Sequence, residues 1–261
     1  MDDKNRLIRY ILAMAEKKKT IKVSVLGLDG AGKSTTVAYF TQTFYRELFI
    51  VKLGRSAYYY DQKTGEKIPL FAALLKKIDA MYEKYEKKQS RLGIVWASIY
   101  YVFAMRWMEN RVRKKMKPDL IIASRDISID TIVYINYYLP FVKHIPLGLK
   151  CFFVRLFSLF PMKSNLVIYL ELDPAESIKR IKKREMKKEI DRSVMRTKSR
   201  YRHENFEALT AIAKNYQEYF KRISGKGKKT TVVFVDANKN NKERTEFCGK
   251  VIQSYIHKKK K

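Results

Sequence analysis

A glycine-rich octapeptide, Gly27-Leu28-Asp29-Gly30-Ala31-Gly32-Lys33-Ser34, limits what this chain can fold into more than any other feature. The β-branched run at residues 21–26 comes directly before it and predicts a buried strand that enters a tight turn. Residues 34–47 follow it and predict a helix. A strand, a glycine turn and a helix in this order predict an α/β unit whose loop can wrap around an anion.

The loop has the residue types that phosphate binding requires. Glycines let backbone N–H groups approach phosphate oxygens, and the N-terminus of the next helix adds a favourable dipole. We expect Lys33 to reach the β- and γ-phosphates and Ser34 to place its hydroxyl on Mg²⁺. The sequence therefore predicts ATP and Mg²⁺ as cofactors, bound by Gly27, Gly30, Ala31, Gly32, Lys33, Ser34 and Thr35.

The rest of the chain continues the alternation of strands and helices. Further strands are predicted at residues 48–53, 119–124, 165–172 and 230–236, and a long helical region is predicted at 68–115 with a break near 90–93. This order predicts an α/β three-layer P-loop NTPase fold with a mostly parallel five-stranded sheet flanked by helices. No internal repeat or linker divides the chain, so residues 1–261 are expected to form a single domain.

The charge is strongly basic, with 56 Lys plus Arg against 26 Asp plus Glu and a formal net charge of +30. Such a field attracts nucleotides, nucleic acid or an anionic membrane, although part of the excess can simply be solubilising. No helix-turn-helix, RNA-recognition or zinc-finger pattern is present, so no specific nucleic-acid module is expected.

Two distant cysteines, Cys151 and Cys248, are typical of a reducing compartment, and a cytoplasmic location is expected. The longest apolar run, residues 92–105, is shorter than the roughly 18 residues that a membrane-spanning helix needs. Residues 1–19 predict a short amphipathic helix instead of a signal peptide.

The loop sequence Gly-Leu-Asp-Gly-Ala-Gly-Lys-Ser-Thr-Thr at 27–36 resembles the phosphate loop of thymidylate kinases. The resemblance covers roughly residues 20–256 and is carried further by segments 103–106, 170–174, 180–184, 191–192, 206–216 and 232–237. It implies a P-loop nucleoside monophosphate kinase that converts dTMP and ATP into dTDP and ADP. It also implies a homodimer.

The same resemblance assigns roles to charged residues. Gly30 stands where some thymidylate kinases carry an arginine, so a catalytic arginine is expected from a lid at 180–203. Arg184 and Arg192 match best among Arg180, Arg184, Arg192, Arg196, Arg200 and Arg202. Asp29 resembles the acid that touches the sugar hydroxyl of the acceptor; the alternative is an ordinary turn residue.

Candidates for binding the acceptor phosphate and the metal follow from the positions of charged residues in the chain. Arg55, Arg106 and Arg125 are candidates for binding the acceptor phosphate, with surface positions as the alternative. Asp126 or Asp130 could hold Mg²⁺ together with Ser34, and a helix N-cap is the other interpretation.

The sequence departs from the thymidylate kinase pattern where the acceptor is recognised. Ser124-Arg125-Asp126 replaces the usual Asp-Arg pair, Leu53-Gly54-Arg55-Ser56 replaces an Arg-Glu-Pro loop, and residues 137–163 form an apolar and basic insertion. An alternative is therefore a sugar or lipid-linked acceptor, with 143–163 lying on an anionic membrane or packed internally. A third hypothesis is a non-catalytic, nucleotide-dependent binder of membrane or nucleic acid.

Overall fold

The central layer is one mixed sheet. The structure, a computed structural model, describes residues 20–54, 56–88, 90–126, 129–130, 132–134, 146, 148–149, 164–190, 205–224 and 230–260. Its strands are β1 (Ile21–Gly27), β2 (Ile50–Leu53), β3 (Ala57–Tyr60), β4 (Lys67–Leu70), β5 (Leu120–Ala123), β6 (Leu166–Glu171) and β7 (Thr231–Asp236). They lie in the order β4-β3-β2-β5-β1-β6-β7.

Helices cover both faces of this sheet. They are α1 (Lys33–Phe44), α2 (Ala72–Lys87), α3 (Arg91–Arg111), α4 (Pro174–Ile190), α5 (Phe206–Ile223) and α6 (Asn241–Lys260), and a π-helical turn (Val112–Met116) follows α3. Side-chain caps set several starts: Ser90 accepts a hydrogen bond from the backbone N–H of Gly93, and Asn205 accepts one from Ala208. Asp173 caps α4 in the same way, through the N–H of Ala175.

The α/β class with a mostly parallel sheet is confirmed, but the described residues form a sheet of seven strands where five were predicted. Strands β2, β5, β1, β6 and β7 are parallel, whereas β3 and β4 extend the sheet as an antiparallel hairpin. Asp61 forms the hairpin turn by accepting from the N–H groups of Lys63 and Thr64. The predicted helix start near 68 was wrong because this turn pairs residues 67–70 with β3.

Among the residues that the structure describes, three apolar clusters join the layers. One lies between the sheet and helices α1 and α6, and includes Val25, Phe40 and Ile252. On the other face, α5 packs on β6 through Tyr169 and Phe220, and α3 packs on β2 and β5. The carboxyl ends of β1 and β5 therefore meet at one sheet edge between these layers, where open α/β sheets bind ligands.

Candidate nucleotide-binding site

The phosphate loop connects β1 to α1 through glycines in the left-handed region. Gly27 has φ 145° and Gly32 has φ 89°. A Cβ on Gly27 would lie 2.5 Å from the carbonyl oxygen of Leu170, so no larger residue fits there. Gly32 is the N-cap of α1 and provides no side-chain cap, so the first N–H groups of the helix are open to an anion.

Lys33 is folded back over this loop. Its ammonium donates to the carbonyl oxygens of Gly27 at 2.9 Å and Leu28 at 2.8 Å, and lies 3.2 Å from Oδ1 of Asp29. Burial lowers the pKa of Lys33, and the Asp29 carboxylate opposes that shift. A phosphate group offers stronger acceptors than these carbonyls and would draw the ammonium toward itself.

Arg125 reaches the same point from the end of β5. Its Nη2 lies 3.4 Å from Oδ1 of Asp29, and its guanidinium lies 5.9 Å from the ring centre of Tyr134. Burial disfavours the charged form, but Asp29, Tyr134 and Asp130 outweigh it and raise the pKa of Arg125. The structure thus brings together three residues that were predicted to belong to the site: Asp29, Lys33 and Arg125.

Asp130 adds a second carboxylate beside Arg125. Its Oδ1 accepts a hydrogen bond of 2.7 Å from the hydroxyl of Tyr216, while Oδ2 is buried without a hydrogen-bond partner. Burial raises the pKa of Asp130 to about 6, against the attraction of Arg125. Among the described side chains this is a strongly perturbed acid close to the loop, which is typical of functional sites.

A cavity of about 300 Å³ opens on the outer side of the loop. Its lining contains three basic side chains and no carboxylate. The lining residues are Gly30, Gly32, Arg180, Lys239, Asn241 and Arg244. Arg180 and Arg244 both donate to the carbonyl oxygen of Ala237, at 3.0 Å and 3.1 Å. This arrangement suits an anionic or hydrogen-bonding ligand next to the phosphates.

Arg244 was not among the site residues predicted from the sequence. It is only 2% exposed, its Nε is buried without a partner, and a Cβ on Gly32 would lie 2.3 Å from its Nη2. Burial lowers its pKa, and the nearby Arg180 charge lowers it further. The sequence did contain one signal that Arg244 is buried. Arg244 lies on the same helix face as the apolar residues Cys248, Ile252 and Ile256, which follow it at intervals of four residues on α6.

Asp126, predicted to bind metal, belongs to a buried ionic network. Its carboxylate accepts from Ser24 at 2.8 Å and from Ser164, and lies 3.6 Å from the ammonium of Lys22. Lys22 in turn contacts Glu109 of α3 at 3.0 Å. These contacts place Asp126 in the core beside β1, and its role as a metal ligand stays a prediction.

The hydroxyl of Ser34 remains suitable for Mg²⁺. Ser34 is exposed on the first turn of α1, directly after Lys33. Within the described ranges there is no group of three or more His, Cys, Asp and Glu residues that could hold a metal by themselves. The residues present therefore fit an ion that is held mainly by the phosphates of the nucleotide, with Ser34 as a protein ligand.

The other predicted site residues lie on separate elements or outside the described residues. Arg106 is half-buried on α3, where burial lowers its pKa and Glu109 opposes the shift, and Arg184 is exposed on α4. Outside the described residues lie Arg55, Arg192, residues 1–19, the lid beyond 190, and all of the 137–163 insertion except 146, 148 and 149.

Neither a protein-family profile nor a curated protein sequence matches this chain. Solved structures do. The deoxyadenosine kinase from M. mycoides with products dCMP and a flexible dCDP bound is 20% identical, with 90% of this chain and 100% of that chain covered and a TM-score of 0.57. The same enzyme with bound dATP is 21% identical, with the same coverage and TM-score 0.57.

A third structure of that kinase, with bound dCTP, is 22% identical over 90% of this chain and 100% of the other, with a TM-score of 0.51. At this level of identity the likeness establishes the fold. It agrees with the α/β architecture built around the phosphate loop. In the part of the chain that the structure describes, no helix is both long and apolar enough to cross a membrane.

Proposed function

We propose that this chain is a kinase that transfers the γ-phosphoryl group of ATP to a nucleoside monophosphate, with dTMP as the first acceptor to test. The observation that carries the proposal is the meeting of Lys33 and Arg125 on one oxygen of Asp29, at the edge where β1 and β5 end. Two cations that follow the neighbouring strands β1 and β5 in the chain suit a donor phosphate and an acceptor phosphate that approach each other. The structural likeness to a deoxyadenosine kinase supports phosphoryl transfer to a nucleoside or a nucleotide and does not choose between these two acceptors.

The donor side is the phosphate loop and the adjoining cavity. Backbone N–H groups of the loop and the Lys33 ammonium would hold the phosphates, and the cavity beside Arg180 and Arg244 would take the rest of the nucleotide. Ser34 would hold Mg²⁺, which neutralises phosphate charge when bound.

The acceptor side lies around Arg125. Its guanidinium would bind the acceptor phosphate in the two-pronged way that suits arginine, and Asp29 would accept a hydrogen bond from the acceptor sugar. Arg184 and Arg192 are proposed to stabilise the charge that develops on the migrating phosphoryl group. Arg55 and Arg106 complete the proposed acceptor set.

A second candidate is a neutral nucleoside acceptor. Arg125 already faces two carboxylates, Asp29 and Asp130, which reduces its charge available for an acceptor phosphate. A hydroxyl acceptor, in contrast, needs a base, and a carboxyl with a pKa of about 6 can take that proton near neutral pH. In that reaction the hydroxyl oxygen bonds to the γ-phosphorus, the bond to the bridging oxygen breaks, and the proton passes to Asp130.

One assay separates these candidates. ATP consumption is measured with Mg²⁺ and either dTMP, dUMP and CMP or their nucleosides, and the phosphorylated product is identified by chromatography. Turnover with dTMP supports the first candidate, and turnover with nucleosides alone supports the second. ATP binding without turnover on any of them would overturn both and favour a sugar or lipid-linked acceptor, whereas absence of ATP binding would overturn the site itself.

A further inference from the structure

Two guanidinium groups share one backbone carbonyl at the wall of the cavity beside the phosphate loop. Nη1 of Arg180 donates to the oxygen of Ala237 at 3.0 Å, and Nη1 of Arg244 donates to the same oxygen at 3.1 Å. A carbonyl oxygen has two lone pairs, so these two hydrogen bonds occupy it fully. The chain that follows β7 therefore has no free backbone acceptor at this residue.

The neighbouring side-chain oxygens are engaged in the same way. Oδ1 of Asn241 accepts from Nη2 of Arg244 at 2.6 Å, and Oδ1 of Asn238 accepts from Nη2 of Arg180 at 3.3 Å. Oε1 of Glu176 accepts from Nε of Arg180 at 3.0 Å. In the described part of the chain, the oxygens that adjoin the two guanidinium groups are thus already bonded to arginine.

The two arginines keep donors that these bonds do not use. A guanidinium group has five N–H donors. Arg180 uses three of them in the bonds given above, and Arg244 uses two, while the Nε of Arg244 is buried without a partner. Lys239 adds an exposed ammonium to the lining. The described lining therefore presents donors, and it fits a ligand that presents acceptors.

This pattern distinguishes between the two common purine bases. On the edge that carries N7, guanine presents two acceptors, O6 and N7, and arginine can bind both with parallel N–H groups. Adenine presents N7 beside an amine at C6, and that amine must donate. Next to Arg180 and Arg244 the amine would meet other donors or would have to share an occupied oxygen. A buried amine without an acceptor of its own weakens binding.

We propose that this cavity selects a donor nucleotide whose purine carries a carbonyl group at C6, such as guanosine or inosine triphosphate, in preference to ATP. The inference rests on the proposed function, in which the phosphate loop holds the donor phosphates and the cavity takes the rest of the nucleotide. It changes only the preferred donor. The volume of about 300 Å³ lies at the lower end of the range for ligand pockets, which suits one base with its sugar.

Competition binding to the full chain measures this preference without requiring turnover. A fluorescent GTP analogue, bound in the presence of Mg²⁺, is displaced by GTP, inosine triphosphate, ATP or inorganic tripolyphosphate. GTP and inosine triphosphate are expected to bind at least about tenfold more tightly than ATP, because a two-pronged arginine contact discriminates between bases to that extent. Inosine triphosphate is the sharpest probe, since it has the C6 carbonyl of guanine without the amine at C2.

Arg180→Met tests the residues. The change removes donors and frees one lone pair of the Ala237 carbonyl, so the kcat/KM with GTP divided by that with ATP is expected to fall at least about tenfold. The ratio is used because the loss of a catalytic charge would lower both values alike. Lys179→Met is the matched control on α4, since the Lys179 side chain is 78% exposed, and it is expected to keep the ratio. If Arg180→Met does not fold, Arg180→Gln replaces it.

Several outcomes would overturn the proposal. Inosine triphosphate that binds no more tightly than ATP would do so, and if GTP alone were tight, the amine at C2 would account for its binding. Tripolyphosphate as tight as GTP would assign the basic side chains to phosphate, and an unchanged ratio in Arg180→Met would remove the role of the arginine pair. The proposed function fails separately: tight binding of GTP and inosine triphosphate without transfer to any acceptor would leave donor selection standing and overturn the kinase assignment.

Discussion

One oxygen atom, Oδ1 of Asp29, positions both cations of the candidate site. It lies 3.2 Å from the ammonium of Lys33 and 3.4 Å from the guanidinium of Arg125. The carboxylate keeps both side chains directed at the end of β1 before any phosphate binds. Since it also repels phosphate, a bound triphosphate is expected to draw Lys33 away from Asp29 toward the new charge.

Lys33→Ala is expected to lower phosphoryl transfer by at least about a hundredfold, because it removes a charge that stabilises the transferring group. The fold should survive, since the side chain bonds only within its own loop region among the described contacts. Steady-state kinetics and circular dichroism check both parts. Lys63→Ala, in the exposed β3–β4 turn, is the control and should keep full activity; equal activity in both variants would sink the assignment.

Arg244→Met is expected to raise the KM for ATP by roughly tenfold or more, because a hydrogen bond from a charged group contributes about 1.5–3 kcal/mol. The unfolding temperature without nucleotide should change little, since within the described residues Arg244 has no carboxylate partner and its burial is costly. Exposed Arg46→Met is the control. A large loss of stability with an unchanged KM would instead give Arg244 a purely structural role.

Asp130→Asn is expected to change how stability depends on pH. Because the pKa of Asp130 rises from 3.8 to about 6 on folding, its protonated form favours the folded state. That contribution is complete below about pH 4 and is lost as the pH rises through about 6. The Asn side chain stays neutral at every pH. The free energy of unfolding of the variant, relative to that of the wild type, should therefore rise by on the order of 2 kcal/mol between pH 4 and pH 8. Urea unfolding across this range measures it, and a constant difference would contradict it.

At the scale of elements, a buried ionic network joins parts of the sheet to α3. Lys22 of β1 contacts Glu109 of α3 and Asp126 after β5, and Ser164 before β6 donates to the same aspartate. Burial alone would lower the pKa of Lys22. The carboxylates of Asp126 and Glu109 outweigh this effect and raise the pKa. The network therefore holds β1, β5, β6 and α3 in register below the phosphate loop.

Asp126→Ala is expected to lower the free energy of unfolding by about 1–3 kcal/mol, because it removes the acceptor that the buried hydroxyls of Ser24 and Ser164 share. Urea unfolding measures this change. Asp236→Ala, on an exposed position at the end of β7, should cost less than about 1 kcal/mol. If Asp126→Ala were as stable as that control while activity fell, the predicted metal role of Asp126 would be supported.

Local patterns predicted the parts of the fold that depend on local physics. The strand before the phosphate loop and the loop itself were predicted, since each follows from neighbouring residues. The β3–β4 hairpin was missed because its Tyr-rich strand and short turn gain stability only through pairing. Lys22 and Arg244 were missed for a related reason: a buried charge is explained by partners that lie far away in sequence.

At the scale of the whole molecule, the net charge of +30 should govern encounter with nucleotides. Raising salt from about 0.1 M to about 1 M shortens the Debye length from about 10 Å to about 3 Å. We expect kcat/KM for ATP to fall by roughly tenfold over this range, since steering by charge is screened. A neutral acceptor should show no such fall in its own kcat/KM. The dependence of kcat/KM on salt concentration therefore also reports the charge of each acceptor. Identical slopes for charged and neutral substrates would contradict steering.

The packing of Arg244 against Gly32 has a consequence for how the protein is made. The phosphate loop leaves the ribosome long before the guanidinium behind it, because that guanidinium belongs to α6. Chains begin to fold from their N-terminus as they are synthesised. A nascent chain can therefore form β1 and the loop before Arg244 is present to pack behind Gly32. Nucleotide can act as a folding ligand through the whole pocket only after α6 has been synthesised, so products truncated before α6 gain no such protection.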